Sequence, residues 1–143
     1  MILGYHHTAI ATVALEPMLA FYRDLLGFTV VLEDGWSAGS ARHDALTRLP
    51  GSAARYAVLR LGNAFLELFE YSSPAPRAND PDRPVCDAGL THIALAVDDI
   101  DCEIARLAAA GVRFHCPPGP AGAFRATYGR DPEGNVFQVR QPL

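Results

Sequence analysis

The feature that most constrains the fold of this chain is an internal repeat. The pattern His-x-Ala-(Ile/Leu)-Ala occurs twice, beginning at His7 and again at His92. Each occurrence lies in a short apolar stretch, 5–11 and 90–96, that a helix signal follows. A short apolar run bounded in this way is typical of a buried strand. The chain is therefore predicted to contain two copies of one unit that begins with a strand and a helix.

The helix signals have the same order in both copies. In the first copy Pro17 lies in the first turn and Gly27 follows the last apolar residue, which predicts a helix over roughly 16–26. In the second copy Asp98 and Asp99 are candidate N-caps, and Gly111 ends the apolar stripe. A short strand, 28–32 or 112–115, and two further strands follow each helix. The predicted order in each copy is βαβββ.

The last two strands of the first copy are predicted at 55–61 and 64–71. The intervening Gly62-Asn63 is suited to a two-residue hairpin. That loop length places Val58 opposite Glu67, with the pairs Tyr56–Phe69 and Arg60–Phe65 on the same face of the sheet. The corresponding strands of the second copy are 124–128 and 136–140, and the longer loop between them leaves their register open.

A segment rich in proline and glycine, 72–89, separates the copies and is typical of a linker. We expect a single domain, 1–143, with module 1 at about 1–73, a linker at about 74–88 and module 2 at about 89–143. The predicted fold class is α+β, with the two modules paired into a mixed-sheet cup. Residues 33–54, which include His43, have no counterpart in the second copy and are a candidate lid.

Charge and cysteine usage exclude several functions. The net charge is −4 with acidic and basic residues interspersed, which disfavours nucleic acid as a partner. Residues 1–10 lack a basic start and an apolar core, and charged or turn residues interrupt every apolar run, so we expect no signal peptide and no membrane span. The three cysteines form no CxxC pair, which fits a reduced, cytoplasmic location. A small-molecule substrate is the expected partner.

Four polar residues in strand interiors form a candidate metal site: His7, Glu67, His92 and Gln138. A carboxylate in the apolar segment Phe65-Leu66-Glu67-Leu68-Phe69 is costly to bury without a cation. Two imidazoles, one carboxylate and one amide make a mixed nitrogen and oxygen site for one divalent metal: Zn, Ni, Co, Mn or Fe(II). The alternative is that the histidines are satisfied core residues.

Several neighbouring residues are candidates for substrate binding. Tyr56, Phe65 and Phe69 are expected to form pocket wall, and Trp36 belongs either to a lid or to the core. Arg60 is a candidate to hold a substrate carboxylate or phosphate beside the metal, and the alternative is that it forms a structural ion pair. Strand alternation places His6 on the face opposite His7, which predicts a structural role. His43 and His115 are expected at the surface.

The motifs together resemble the vicinal oxygen chelate superfamily, which contains glyoxalase I, methylmalonyl-CoA epimerase, extradiol dioxygenases and the bleomycin and fosfomycin resistance proteins. The matching segments are His7-Thr8-Ala9-Ile10, 20–28, Phe65-Leu66-Glu67-Leu68, 91–97 and 131–138. The resemblance implies a glyoxalase-like fold, a homodimer, and metal ligands at His7, Glu67, His92 and Gln138. Gln138 departs from the glutamate of many enzymatic members, which weighs against a mechanism that needs two ligand carboxylates.

Three functions follow from the site and the resemblance. The first is a metal-dependent lyase or isomerase that polarises a substrate carbonyl, with Glu67 shuttling a proton through an enolate. The second is an Fe(II) extradiol-type dioxygenase that uses two histidines and one carboxylate. The third is a non-catalytic protein that binds an antibiotic or a small metabolite.

Overall fold

The computed structural model describes all residues, 1–143, and the chain divides into two compact units, 1–78 and 79–143. The first unit contains β1 (His7–Thr12), α1 (Leu15–Leu19), a π-helical segment (Ala20–Leu25), β2 (Thr29–Trp36), α2 (Ala41–Thr47), β3 (Ala53–Leu61) and β4 (Ala64–Ser73). The second unit contains β5 (His92–Ala96), α3 (Ile100–Ala109), β6 (Arg113–Phe114), β7 (Gly119–Pro120), β8 (Phe124–Arg130) and β9 (Val136–Pro142).

The two units have the same sheet topology. In the first unit the strand order is β1-β4-β3-β2, with β1 parallel to β4 and the other pairs antiparallel. In the second unit the order is β5-β9-β8-β6, again with one parallel pair, β5 and β9, and with β7 added beside β8. A parallel pair needs a long connection, and in each unit the helix and the intervening strands lie between the two parallel strands in the chain. The predicted α+β class and the βαβββ order are confirmed.

The hairpin register predicted from Gly62-Asn63 is confirmed. Leu61 pairs with Ala64, Val58 with Glu67, and Tyr56 with Phe69. Gly62 has a φ of +58°, which a two-residue hairpin turn requires. The register of the second copy, which the sequence left open, places Tyr128 opposite Gln138.

One face of each sheet is covered by its helix and forms the core. Alternation along the strands sends apolar side chains to this face and leaves the other face for the candidate site residues. The core residues of the first unit include Met18, Tyr22, Leu59, Leu66 and Leu68, and those of the second include Ile100, Leu107, Phe137 and Val139, all at most 2% exposed.

The first helix occupies the predicted span but changes its hydrogen-bonding pattern midway. The Leu26 amide donates to the Phe21 carbonyl at 3.0 Å, a bond that spans five residues and defines the π-helical segment. Gly27 follows with a φ of +80°, as the predicted helix end requires. The second-copy helix begins at the predicted cap, where Asp99 accepts from the Cys102 amide at 3.0 Å. None of the helices has the length and apolarity needed to cross a membrane.

The predicted insertion, 33–54, is shorter than expected. Asp34-Gly35 has the composition of a turn, yet 33–36 continue β2 and pair with β3. Gly35 is required there, since a Cβ at this position would lie 2.6 Å from the Ala54 carbonyl oxygen. What remains of the insertion holds α2 and the loops on either side of it.

The duplication extends to contacts that fix each helix. The Leu15 amide at the start of α1 donates to the Glu70 carboxylate at 2.6 Å, and the Ile100 amide at the start of α3 donates to the Gln141 side chain at 3.0 Å. Each acceptor stands three residues after the candidate metal ligand of its strand. The ion pairs Arg55–Glu16 (3.0 Å) and Arg125–Asp101 (2.7 Å) repeat in the same way.

Candidate functional site

His7 and Glu67 lie side by side on the face of the first sheet that is opposite the helix. His7 begins β1, and Glu67 in β4 pairs in register with Ala9, so alternation places both side chains on one face. His7 Nε2 is 3.4 Å from Glu67 Oε2, and the side chains are 36% and 18% exposed. The two predicted ligands of this unit therefore present a nitrogen and an oxygen donor to one point. We call this surface the His7 face.

His92 and Gln138 have the same relation in the second unit. His92 begins β5, and Gln138 in β9 pairs with Ala94, two residues further along. Both side chains therefore lie on one face of the second sheet, and both residues are half-buried. We call this surface the His92 face.

The structure thus brings the four predicted ligands together as two pairs, one pair in each unit. No group of three or more His, Cys, Asp and Glu side chains that could hold a metal ion is found in the chain.

Each candidate ligand imidazole contacts the residue immediately before it in the chain. His6 Nδ1 is 2.8 Å from His7 Nδ1, and Thr91 Oγ1 is 3.0 Å from His92 Nδ1. The prediction that His6 points away from His7 is wrong. Strand alternation does not apply to His6 because β1 starts at His7, and the His6 ring instead stacks on Phe65 with centroids 5.4 Å apart.

Four of the aromatic side chains of the first unit form a cluster at the far end of the His7 face. Tyr56 and Phe69, opposite each other in β3 and β4, stack with centroids 4.9 Å apart. Trp36 packs against both, and Tyr71 joins through Trp36 at 5.8 Å and Phe69 at 6.3 Å. Of the predicted pocket-wall residues, Phe65 alone lies outside this cluster. Tyr71 was missed, although it continues the alternation of Phe65, Glu67 and Phe69.

The insertion contributes one more ring to this aromatic cluster. His43 from α2 stacks on Trp36 with centroids 4.5 Å apart and an interplanar angle of 5°. Its Nδ1 is bound to Ser40 Oγ at 2.7 Å, and Trp36 Nε1 donates to Ser52 Oγ at 3.0 Å. His43 is therefore a half-buried part of the cluster rather than the predicted surface residue. The aromatic cluster consists of Trp36, His43, Tyr56, Phe69 and Tyr71.

The electrostatics of the His7 face keep Tyr56 protonated. Desolvation raises the pKa of the Tyr56 hydroxyl, and the negative charges of Asp34 and Glu67 raise it further. Tyr56 can therefore donate a hydrogen bond to a ligand at neutral pH.

Arg60 and Arg130 occupy corresponding positions before the last turn of each unit but differ in their contacts. Arg130 donates to the carbonyls of Gly134 and Arg83 at 2.9 Å each and to His115 Nε2 at 3.1 Å. Arg60 is exposed, pairs in register with Phe65, and makes no ion pair or side-chain hydrogen bond. The Arg60 guanidinium on the His7 face is thus available to an anion. The Arg130 guanidinium is already engaged in hydrogen bonds within the second unit.

Two aromatic contacts support the His92 face. Tyr128, opposite Gln138, packs against His92 with centroids 4.9 Å apart and against His115 at 5.9 Å. Desolvation and the nearby Arg130 guanidinium lower the pKa of His115 below its ordinary value of 6.5. A neutral His115 is what the hydrogen bond from Arg130 requires, since Nε2 must accept.

The segment 131–135 is structural, although it is part of the most recognisable motif. Asp131 is 4% exposed, and its side chain accepts from the amides of Glu133 and Asn135 at 3.0 and 2.8 Å. This loop fixes the entry into β9 and hence the position of Gln138.

The donor chemistry of the two pairs fits a divalent metal. Imidazole and carboxylate are ordinary ligands of Zn²⁺ and of other first-row dications, and an amide oxygen is a weaker but accepted one. In the first pair His7 Nε2 and Glu67 Oε2 lie 3.4 Å apart. That separation leaves both able to turn toward one ion.

Comparisons with known proteins place the chain in a family. The model of the Glyoxalase/Bleomycin resistance protein/Dioxygenase superfamily matches residues 4–139. The uncharacterized protein YaeR of Escherichia coli (strain K12) is 32% identical over 141 residues, which cover 94% of this chain and 92% of YaeR.

Solved structures show the same fold. A glyoxalase family protein from Bacillus cereus superimposes with a TM-score of 0.89 at 20% identity, covering 100% of this chain and 96% of that one. TnmS3, an antibiotic binding protein from Streptomyces sp. CB03234, superimposes with a TM-score of 0.67 at 20% identity, covering 100% and 99%. With the family model spanning nearly the whole sequence and two βαβββ units in the structure, the chain belongs to the Glyoxalase/Bleomycin resistance protein/Dioxygenase superfamily.

Proposed function

We propose that this protein is a metal-dependent lyase or isomerase in which His7, Glu67, His92 and Gln138 hold one divalent ion. The observation that supports this most directly is the 3.4 Å distance between His7 Nε2 and Glu67 Oε2, two donors on one face of the first sheet. His92 and Gln138 have the same register in the second unit as His7 and Glu67 have in the first, and the proposal assigns them as the second pair of ligands. We expect a homodimer acting on a small molecule in the cytoplasm.

The bound ion would supply Lewis acidity, polarising a substrate carbonyl and stabilising the oxyanion formed when an adjacent proton leaves. Glu67 is the proton carrier in this proposal. Its side chain is 18% exposed and lies 3.4 Å from His7 Nε2, so as a ligand it would stand beside a substrate held by the ion. Arg60, two positions along the face and free of partners, would hold an anionic group of the substrate.

Metal analysis combined with two variants tests this proposal. We expect the purified protein to contain one transition metal per chain, and His7→Ala and Glu67→Ala to lose it. Glu33→Ala removes an exposed carboxylate of β2 and is the matched control, which should retain the metal. A native protein that cannot be loaded with any divalent ion would disprove the metal-dependent reaction.

Proton exchange tests the reaction class. We expect a metal-dependent loss of α-deuterium from a 2-oxo acid, a thioester or a hemithioacetal, and we expect Glu67→Gln to abolish it while Glu33→Gln does not. Oxygen consumption with catechols by the iron-loaded protein, without any such exchange, would instead favour the extradiol-type dioxygenase.

A second candidate function, binding of an aromatic antibiotic or metabolite without catalysis, is favoured by the aromatic cluster. Trp36, Tyr56, Phe69 and Tyr71 offer ring faces and edges on which a flat ligand stacks, and aromatic pairs of this type contribute about 0.5–1.5 kcal/mol each beyond burial. The structural neighbour TnmS3 is described as an antibiotic binding protein.

The fluorescence of Trp36 tests this second candidate, because it is the single tryptophan of the chain. We expect flat aromatic compounds to quench its emission saturably, and Phe69→Leu to weaken the binding. Equal affinity in the metal-free and metal-loaded protein, with no proton exchange, would make binding the better account. An absence of saturable quenching by any aromatic compound would contradict it.

A further inference from the structure

We propose that His6 and Thr91 are positioning residues that hold the proton of each ligand imidazole on Nδ1 and so direct Nε2 of His7 and His92 to the metal. This inference rests on the proposed metal site. The juxtaposition behind it is a repeated one, since each residue directly precedes its histidine and contacts the same ring nitrogen.

A neutral imidazole carries one proton, and the nitrogen that binds a metal cannot be the protonated one. For His7 the two ring nitrogens face different partners. Nε2 lies 3.4 Å from Glu67 Oε2, and Nδ1 lies 2.8 Å from His6 Nδ1. An ion shared by His7 and Glu67 must therefore sit at Nε2, which places the proton on Nδ1. That proton needs an acceptor.

His6 is held in the position of that acceptor. Its ring stacks on Phe65 with an interplanar angle of 6°, and Phe65 is the register partner of His7 in β4. The stack fixes the plane of His6, and the His6 Nδ1 lone pair then receives the proton of His7 Nδ1. The two rings meet at 88°, an edge arrangement that allows the in-plane hydrogen bond.

The second unit achieves the same result with a different side chain. Thr91 Oγ1 lies 3.0 Å from His92 Nδ1, and a hydroxyl oxygen, like an imidazole nitrogen, can accept a hydrogen bond. Val136 stands where the first unit has Phe65, so the ring on which His6 stacks has no counterpart at that position of the second unit. The Thr91 hydroxyl needs no stacking partner of this kind.

His6 and Thr91 thus keep Nε2 of His7 and Nε2 of His92 unprotonated and oriented for the metal. Without an acceptor at Nδ1, each ring is free to rotate or to present the other nitrogen, and metal affinity falls. Partners of this kind typically change metal affinity by about 10–100-fold when they are removed.

Zinc affinity, measured by chelator competition on the full chain, tests the first position. His6→Phe keeps a ring to stack on Phe65 but removes the acceptor, and we expect a loss of about tenfold or more. His6→Asn restores an oxygen near the position of Nδ1 and should recover most of the affinity.

The second position has its own matched set. Thr91→Val removes the hydroxyl with little change in shape and should lower zinc affinity by a similar factor, whereas Thr91→Ser should not. Thr8→Val is the control, because Thr8 follows His7 but bonds only the Tyr5 hydroxyl, at 2.6 Å. It should bind zinc like the native protein.

A spectroscopic measurement separates positioning from a general loss of structure. In zinc-loaded protein labelled with ¹⁵N-histidine, we expect the proton of His7 and of His92 on Nδ1, with slowed exchange that His6→Phe and Thr91→Val respectively accelerate. Zinc bound through Nδ1, or unchanged affinity in both variants, would overturn the inference while leaving the metal site in place. A native protein that binds no zinc would remove the proposed function and this inference together.

Discussion

Gln138 is the residue at which the two halves of the candidate site differ most. It stands where the first unit has Glu67, and the replacement is repeated three residues later, where Gln141 stands in place of Glu70. In the proposed site, one carboxylate among four ligands would leave a bound dication with a net positive charge. In that proposed site the amide of Gln138 would favour polarisation of the substrate over tight retention of the ion.

Gln138→Glu should bind metal more tightly. A second carboxylate adds a charged oxygen donor, and ligand charge sets affinity, so we expect the zinc dissociation constant to fall by about tenfold or more. Gln141→Glu makes the same change in the same strand on the face that caps α3, and it should leave zinc affinity as it is. Competition titration measures both, and equal constants for native and Gln138→Glu would remove Gln138 from the ligand set.

His115 should make the protein less stable as the pH falls. Its pKa in the folded state lies below 6.5, so at mildly acidic pH the unfolded chain takes up a proton that the folded chain does not. Stability is therefore complete above the unfolded pKa and declines as the pH falls toward the folded pKa.

His115→Gln removes this titration while keeping an acceptor for Arg130. Urea unfolding from about pH 8 to about pH 5 should then show a smaller decline for the variant than for the native protein. Parallel curves for the two proteins would mean that His115 makes no contribution to the pH dependence.

At the level of elements, the loop 131–135 controls where β9 begins. Gly134 has a φ of +82°, and a Cβ there would lie 2.7 Å from the Pro81 carbonyl oxygen, so both conformation and space require glycine. Gly62 in the hairpin of the first unit has a φ of +58° with nothing within 4 Å of the added atom. A Cβ at Gly62 would meet only the cost of the left-handed conformation, whereas a Cβ at Gly134 would meet that cost and a steric collision as well.

Gly134→Ala should destabilise the protein more than Gly62→Ala. For Gly62→Ala we expect the free energy of unfolding to fall by about 1–2 kcal/mol, because alanine disfavours the left-handed backbone conformation of this position. For Gly134→Ala we expect a further loss of about 1–3 kcal/mol of unfolding free energy, since the added Cβ would collide with backbone atoms of Pro81, which cannot move aside as a flexible side chain can. Urea denaturation measures the unfolding free energy of both variants. Equal losses in the two would show that the backbone near Pro81 shifts to accommodate the added Cβ without destabilising the protein.

At the level of the whole molecule, the proposal requires that the two units act on one ion. Two independent pairs of donors would each bind weakly, and a variant of one pair would leave the other unaffected. A shared site behaves differently, because losing either pair removes the common ion.

We therefore expect His7→Ala and His92→Ala each to abolish tight zinc binding, and the native protein to bind one zinc per chain. Ligand binding to the folded state raises stability by mass action, so zinc should raise the unfolding temperature of the native protein and of neither variant. A stoichiometry of two, with each variant retaining one, would show separate half-sites.

The amino-acid sequence by itself determined the βαβββ order and the Gly62-Asn63 hairpin register. These follow from local rules, since apolar periodicity, helix caps and turn residues act within a few positions of each other. The same locality explains why the length of the hairpin loop is sufficient to place Glu67 opposite Val58.

The tertiary structure alone decided the surroundings of those residues. His6 lies outside the strand, so alternation could not place it, and its stack on Phe65 depends on a β1–β4 pairing between residues far apart in the chain. Contacts between distant segments also decide that His43 stacks on Trp36. They likewise decide that the Arg130 guanidinium is engaged in hydrogen bonds while that of Arg60 is not. Sequence patterns report the period of each element, whereas only packing fixes which side chains meet.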